Sequence, residues 1–558
     1  VMFKNLLDKI RFREAYKENN IIVANAEAQQ WDKTVDVAIA GFGGAGAAAA
    51  LEAHEQGLET LVIDRFGGGG ATTISGGVYY AGGGTRVQKD CGMEDDADNM
   101  YQYLHQEVQG AVNDDTLKDF CNNSVDNYDW LENQGVPFDA SFCEFKTSYP
   151  PNHLFFYYSG NESFPPYSYT AKPAARGHRG HRKGVSGAAI FEPLRASVLS
   201  KDIEVRTQTK LVSLIASEDG EVLGLKAIQL KNNRFAAITH KLIYKLQTLL
   251  RYMALYWPPL FNLLAAWCEA LEKNCGETIY VRAKKGVMLA TGGFYSNQTM
   301  IKKYAPQFLG GSPLGTMADD GSGIQMAMDL GADTALMDSV SAWRFINPPI
   351  SFAKGLLVGP QGTRVCNEML YGAQVGDQIM KNHDGKAYII LDQKQYKQAL
   401  KDLRFDKALW FHMLLGGMYL FLGSKKADSI HALAKKLDID QQALHNTFTE
   451  YNRVAASDEE DEKGKPKAYM PELTDGPYYA VNASYDYFFV PCPSLTLGGL
   501  KVNEDSGLVL NQQGQDIKGL YAIGRTAVGI PSKGYVSGLS IADCIYAGRR
   551  ASRHAASQ

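Results

Sequence analysis

The stretch Asp36-Val37-Ala38-Ile39-Ala40-Gly41-Phe42-Gly43-Gly44-Ala45-Gly46 decides the fold. An apolar, strand-like run enters a G-x-G-x-x-G turn, and a small-residue helix follows from Ala47 to Ala53. A second apolar run, Thr60-Leu61-Val62-Ile63, ends on Asp64, the acidic residue that a dinucleotide fingerprint places about twenty positions on. Each part has a physical job. Gly41 permits a tight turn, Gly43 lets backbone approach a pyrophosphate, and Gly46 lets helix and strand pack closely. The helix N-terminus offers free N–H groups and a positive dipole end to the phosphates. Asp64 accepts hydrogen bonds from an adenosine ribose, and its charge repels a 2′-phosphate.

The chain has 558 residues, too many for one core, so two or more domains are expected. A net charge of −4 implies no general polyanion-binding surface, and no nucleic-acid partner is expected. The one basic cluster, Arg176-Gly177-His178-Arg179-Gly180-His181-Arg182-Lys183, reads as a solvated or phosphate-facing loop. The eight cysteines are scattered and form no C-x-x-C, so no zinc, haem or iron–sulfur spacing is present. Reduced thiols fit a cytoplasmic protein. Val1 to Asn20 is charged and helical in pattern, unlike a secretory leader.

The residues just after Asp64 identify the dinucleotide. Gly67-Gly68-Gly69-Gly70-Ala71-Thr72-Thr73-Ile74-Ser75-Gly76-Gly77 is a second glycine-rich loop, and it suits a cofactor whose long diphosphate and ribityl chain threads between backbone segments. That cofactor is FAD. Gly286-Val287-Met288-Leu289-Ala290-Thr291-Gly292-Gly293 and Lys518-Gly519-Leu520-Tyr521-Ala522-Ile523-Gly524-Arg525 are further strands that end in small residues. A helix starting near Gly538-Leu539-Ser540 aims its N-terminus at the flavin's pyrimidine end.

The order GxGxxG, acid, GG-x-T-x-x-S-GG, ATGG, LGGL, GLYAIG resembles the flavoprotein family of fumarate reductases and 3-ketosteroid dehydrogenases, from about Thr34 to Ala551. The resemblance implies an α/β fold: a Rossmann-like FAD-binding domain with an inserted α+β catalytic cap. It places the discontinuous FAD domain at residues 33–293 and 486–558 and the cap at 294–485. It also implies a cofactor set of Gly41, Gly43, Gly44, Ala45, Gly46, Asp64, Arg65, Gly70, Ala71, Thr72, Ser75, Gly76, Gly77, Leu211, Ala290, Thr291, Gly292, Asp320, Gly524, Arg525, Gly538, Leu539 and Ser540. Within the cap, Ser429 to Asn452 reads as two helices, Ser494 to Val502 as the returning strand, and Asp458 to Glu462 as a solvated loop.

One segment lies outside the minimal fold. Glu221 to Lys226 and Thr278 to Arg282 look like neighbouring strands, yet residues 241–277 intervene as an apolar helical insert. Leu242 to Trp267 is rich in Leu, Tyr and Trp, and Pro258-Pro259 breaks it short of the ~20 apolar residues of a membrane span. With Lys241, Lys245 and Arg251 beside it and Trp257 and Trp267 as interfacial anchors, it fits a monotopic hairpin lying on a membrane. An extra cap on the protein or an oligomer contact is the alternative. Ala408 to Leu422 joins the same surface or lines an entrance for a greasy substrate.

The active-site residues discriminate within the family. Its fumarate reductases bind a dicarboxylate with His and Arg. Where they carry His before T-x-GG, this chain has Leu495; after Arg364-Val365-Cys366-Asn367-Glu368 it has Met369-Leu370-Tyr371-Gly372; near the last helix it has Gly534-Tyr535-Val536-Ser537-Gly538. Tyr and Ser replace the cations, which suits an apolar substrate with one carbonyl. The resemblance narrows to 3-ketosteroid dehydrogenases of the Δ4-(5α) type, with the Δ1 type next, because Tyr535-Val536-Ser537-Gly538 and Arg525 depart from the Δ1 pattern. The expected chemistry is loss of a proton beside the C3 ketone and of a hydride from the next carbon to flavin N5. By carry-over, Tyr535 and the Gly538 N–H hold the carbonyl oxygen, and Tyr371 with Ser537 takes the proton. Tyr79, Tyr80, Trp343 and Phe345 are the expected steroid contacts. Electrons then leave to an external acceptor, for which a membrane quinone is consistent with the insert. A carboxylate-reducing enzyme and a non-catalytic flavin carrier on a membrane are the competing readings.

Overall fold

The computed structural model describes residues 8–257, 259–404 and 408–558. Val1 to Leu7 of the N-terminal segment and Pro258 of the Pro-Pro break lie outside the described residues. The N-terminal expectation is corrected in part: the chain is helical at Asp8 to Arg11 and has no regular structure from Arg13 to Asn20.

A nine-stranded sheet forms the base. Its strands are β1 (Ile21–Val23), β2 (Lys33–Ala40), β3 (Thr60–Ile63), β4 (Glu204–Arg206), β5 (Thr209–Ser217), β6 (Val222–Gln229), β7 (Glu277–Leu289), β8 (Leu508–Leu510) and β9 (Asp516–Ala522). The order is β1-β5-β6-β7-β2-β3-β4, with β9 also on β7 and β8 on β9. The long β7 carries two partners on one side. Its first half pairs antiparallel with β6 (Leu225 opposite Val281), and its second half pairs parallel with β9 (Met288 opposite Tyr521). β2 lies parallel along its other side. Parallel strands feeding helices put their C-terminal ends on one edge, where such folds bind ligands.

Helix α1 (Gly44–Glu55) follows β2, and α2 (Gly70–Ile74) follows β3. The alanines of α1 are small enough for close packing against the C-terminal helix (Leu539–Ser557), where the Ser552 hydroxyl donates to the Ala49 carbonyl at 2.8 Å. Arg549 and Arg553 bond Glu52 across the same contact.

The β6–β7 hairpin is interrupted by α3 (Arg234–Leu249), α4 (Arg251–Tyr256) and α5 (Pro259–Cys275). This is the apolar insert, and one of its faces packs on the protein. Ile243, Phe261, Leu264, Ala265 and Cys268 form a core cluster with Phe66 and Met317. The second apolar stretch is α6 (Trp410–Phe421), which meets α4 through Tyr252 and Trp410, ring centroids 5.9 Å apart. Among the described residues no helix is long and apolar enough to cross a membrane.

Beyond Phe294 a four-stranded antiparallel sheet is built from Leu356–Val358, Tyr388–Leu391, Tyr478–Asn482 and Ser424–Ala427. Helices Ile430–Leu437 and Gln441–Ala455, started by Ser429 and Asp440 side chains, pack Leu433, Leu444 and Phe448 against it. The returning strand is two short pieces, Pro493–Thr496 and Gly499–Leu500, because they pair with different partners. The last helix is α7 (Leu539–Ser557).

The basic cluster is a solvated loop only from His181 to Lys183; its first half is buried. Its strand Gly177–Arg179 is sandwiched between Val78–Tyr80 and Phe156–Tyr157, which buries Arg176, His178 and Arg179. Arg176 pairs with Asp95 through two hydrogen bonds of 2.7 and 2.9 Å. Arg179 donates to the carbonyls of Pro150, Pro151, Arg182 and Gly184.

Candidate active site

One cavity of about 540 Å³ runs along the C-terminal ends of β2, β3, β7 and β9. Gly41, Gly43, Gly44 and Ala45 form its wall at the start of α1; Gly70, Ala71 and Thr72 form it at α2; Ser75, Gly76 and Gly77 continue it. The backbone geometry demands glycine at two points. Gly41 sits at φ +111°, and a Cβ there would stand 2.2 Å from the Ala290 carbonyl oxygen; one on Gly46 would stand 1.9 Å from the Gly41 carbonyl oxygen. Ala290, Thr291, Gly292, Leu211, Asp320, Gly524, Arg525 and Ser540 line the rest of the trough. Gly46 and Leu539 lie behind the wall: Gly46 holds α1 against the turn, and Leu539 points into the core.

These residues fit an extended dinucleotide. Helices α1 and α7 both begin on glycine, Gly43 and Gly538, which bring no side chain to the cap. The Gly44 N–H donates to Thr72 Oγ1 at 3.1 Å and the Leu539 N–H to the Val536 carbonyl at 3.2 Å, and the positive dipole ends of both helices lie at the cavity wall, where phosphate and an anionic ring would be favoured. Nη1 of Arg525 is buried beside the cavity without a partner, while Nη2 bonds Asp319 at 2.8 Å. The Asp64 carboxylate accepts from the N–H groups of Phe42, Phe66 and Gly68, so it is fixed at the ribose end.

The insert closes that end. Phe66 stacks on Tyr244 (centroids 4.3 Å apart) and on His240 (5.2 Å). Arg65 makes a two-pronged ion pair with Glu272 at 2.7 and 3.0 Å and reaches Asp320 at 3.3 Å. Burial by itself raises the Glu272 carboxyl, but the Arg65 and Lys210 charges outweigh it and hold it far below the usual range. Lys210 is also buried on the cavity wall with no partner for its ammonium; burial and the Arg65 charge depress it to about 8.

At the other end the cavity is walled by Trp343, Phe345, Tyr371, Leu495, Tyr535 and Ser537. Trp343 stacks on Tyr535 with centroids 5.2 Å apart, and Phe345 meets Tyr371 edge-on at 5.8 Å. Gly538, at φ +95°, starts α7 and lines the cavity beside Tyr535 and Ser537. Burial pushes the Tyr535 phenol up, and the nearby Arg525 charge partly offsets this. Burial and the neighbouring Tyr535 and Tyr157 raise Tyr371 well above an ordinary phenol; the nearby Ser537 hydroxyl acts the other way.

Several supports hold these groups. Ser159 donates to the Ser537 carbonyl at 3.0 Å, and the Tyr157 hydroxyl bonds Ser537 Oγ at 3.3 Å. The Tyr371 N–H donates to Asn161 Oδ1 at 2.7 Å. Glu368, just before Tyr371, is bound by Arg364 at 2.8 and 3.0 Å and by Lys465 at 3.2 Å, all buried. Arg364 reaches Asp461 as well, which ties the acidic loop to the site.

Tyr79 and Tyr80 correct the expected steroid contacts. Of their strand, Val78 reaches the cavity wall. Tyr79 packs on Phe138, and Tyr80 bonds Glu162 at 3.2 Å, inside the core behind the groove. Four residues on or beside the cavity had no sequence signal: Tyr157, Lys210, Arg344 and His412. Arg344 is a buried cation whose Nη atoms are taken by the Tyr419 hydroxyl and the carbonyls of Val490, Ser484 and Tyr485. Burial holds His412 neutral, at about 3.

A glycine-lined trough and two helix N-termini beginning on glycine fit a flavoprotein, and FAD is its cofactor. Residues 36–538 match the FAD binding domain family, and the chain belongs to it, within the group of its ketosteroid dehydrogenases. It is 38% identical over 508 residues to the 3-oxo-5-alpha-steroid 4-dehydrogenase of Comamonas testosteroni, across 90% of this chain and 94% of that one. The structure of 3-ketosteroid-delta4-(5alpha)-dehydrogenase from Rhodococcus jostii RHA1, solved with 4-androstene-3,17-dione, matches with a TM-score of 0.79 at 28% identity, over 97% of this chain and 100% of that chain. A probable fumarate reductase of Shewanella frigidimarina is 26% identical over 542 residues, across 94% of this chain and 75% of that one.

Proposed function

We propose that the chain is an FAD-dependent 3-ketosteroid dehydrogenase that introduces the C4–C5 double bond into 5α-reduced 3-ketosteroids. The observation that carries this is the gathering of Tyr371, Tyr535, Ser537 and Gly538 on one stretch of cavity wall with Trp343, Phe345 and Leu495. FAD bound in the trough supplies a two-electron acceptor for the hydride that leaves the β carbon. The chain's own groups do the rest. Tyr535 and Gly538 hold the C3 oxygen and stabilise the charge that develops on it, which is worth about 10²–10³ in rate per donor. Ser537 and Tyr371 move the α-proton away. Because Tyr371 is raised so far, it serves as a relay and not as a free phenolate base.

A dicarboxylate substrate fits poorly. It needs cations free to donate beside Tyr371 and Leu495, whereas Arg344 spends its Nη atoms on the protein, His412 is neutral and Arg525 is paired with Asp319. The relative at 38% identity supports C4–C5 over C1–C2 chemistry. Electrons leave to an external acceptor, and a quinone dissolved in a membrane fits the apolar insert, whose outer face makes a peripheral contact. Product analysis tests the reaction: a 5α-reduced 3-ketosteroid should yield the 4-ene-3-one, and formation of a 1-ene product would reverse the regiochemistry.

A further inference from the structure

Exposed apolar side chains gather on the insert and on α6, beside the mouth of the cavity. Along α3, Phe235, Ile238, Leu242, Leu246 and Leu249 recur three or four residues apart and face outward, while His240, Ile243 and Gln247 face inward. Phe235 is 79% exposed and Leu249 76%. Across the mouth, α6 presents Trp410, Leu414 and Phe421, the last 71% exposed, and Phe488 and Phe489 stand beside them. The α3 stripe leads into α4, whose Tyr252 touches Trp410 and whose Tyr256 meets Phe488, with ring centroids 5.9 Å apart in both pairs. Tyr252, Leu255, Tyr256, Trp410 and Leu414 line the cavity itself.

The charge pattern selects the partner. Lys231, Arg234, Lys241, Lys245 and Arg251 flank the apolar stripe, and no Asp or Glu occurs from Lys231 to Cys268. A second copy of the chain would set these like charges against each other. An anionic lipid surface would accept both the apolar patch and the cations.

We infer that this patch docks on an anionic lipid bilayer, with the cavity mouth opening into the acyl region, so that the substrate enters from lipid. The docking stands on the surface alone; the identity of the cargo rests on the proposed steroid chemistry.

Flotation of the holoprotein with vesicles tests it, using phosphatidylcholine with and without phosphatidylglycerol. Binding should be strong only with the anionic lipid and should weaken as salt rises. Lys241→Ser and Lys245→Ser should each cost about fivefold in vesicle affinity. Phe235→Glu, Leu249→Glu and Phe421→Glu should each cost about tenfold or more, with the flavin spectrum and the turnover of a detergent-dispersed steroid unchanged. Wild-type protein that stays out of the anionic vesicle fraction would overturn the inference. So would sedimentation showing a dimer that the same glutamates dissolve while vesicle binding is untouched. Docking with no steroid turnover would instead sink the proposed function.

Discussion

The hydroxyl of Ser537 stands 3.3 Å from that of Tyr157, a buried residue more than three hundred positions earlier in the chain, and Ser537 shares the cavity wall with Tyr371. Tyr157 therefore fixes the direction in which Ser537 can present its oxygen. Tyr157→Phe should lower kcat by about tenfold with little change in KM, since proton-transfer groups contribute about 10²–10⁴ and this one acts through another. Steady-state kinetics across pH checks it. An unchanged kcat and pH profile would leave Tyr157 with packing alone.

Tyr535→Phe removes one of the two donors at the carbonyl site and keeps the ring stacked on Trp343. Turnover should fall by about 10²–10³, while the visible spectrum of the bound flavin stays the same. Full turnover would contradict the assignment.

Glu272→Ala breaks the buried pair with Arg65 and should cost about 3–5 kcal/mol at the contact between insert and ribose loop. Flavin should then be released at a lower temperature than from the wild type, read by its fluorescence. The Glu272 carboxyl is held low in the fold, so this contribution is present above the ordinary carboxylate range and is lost only as pH falls well below it.

Glu107 behaves the opposite way. Burial raises its carboxyl to about 7, its Oε1 accepts from Tyr103 and Asn161, and its Oε2 has no partner. A raised carboxyl contributes stability that is complete below its unfolded value and is lost as pH rises through about 7. The shift corresponds to about 3 kcal/mol. Glu107→Gln should therefore raise stability relative to wild type more at alkaline than at acid pH, as read by denaturant midpoints.

What the sequence made legible was local. The glycine turn and Asp64 announce the dinucleotide trough because backbone clearance at Gly41 and Gly46 admits no other residue. The run Tyr535-Val536-Ser537-Gly538 was readable because donor, hydroxyl and helix start lie within four consecutive residues. The pairing of Tyr157 with Ser537 and of Arg65 with Glu272 was not, because each joins segments far apart in the chain. Tyr79 and Tyr80 misled for a related reason: aromatic residues beside a cofactor loop look like substrate contacts, yet the core behind the groove claimed both. The insert was half legible. Its apolar character was plain, but nothing in it announced that the inner face would seal Phe66 at the ribose end.

The proposed chemistry rests on an uncharged wall of phenols and one serine that desaturates a steroid ketone. Anaerobic mixing with a 5α-reduced 3-ketosteroid is the sharpest check on it. Rapid bleaching of the flavin absorbance is expected, one equivalent per site, and none with succinate. Bleaching by the dicarboxylate, or by no ketosteroid at all, would contradict it.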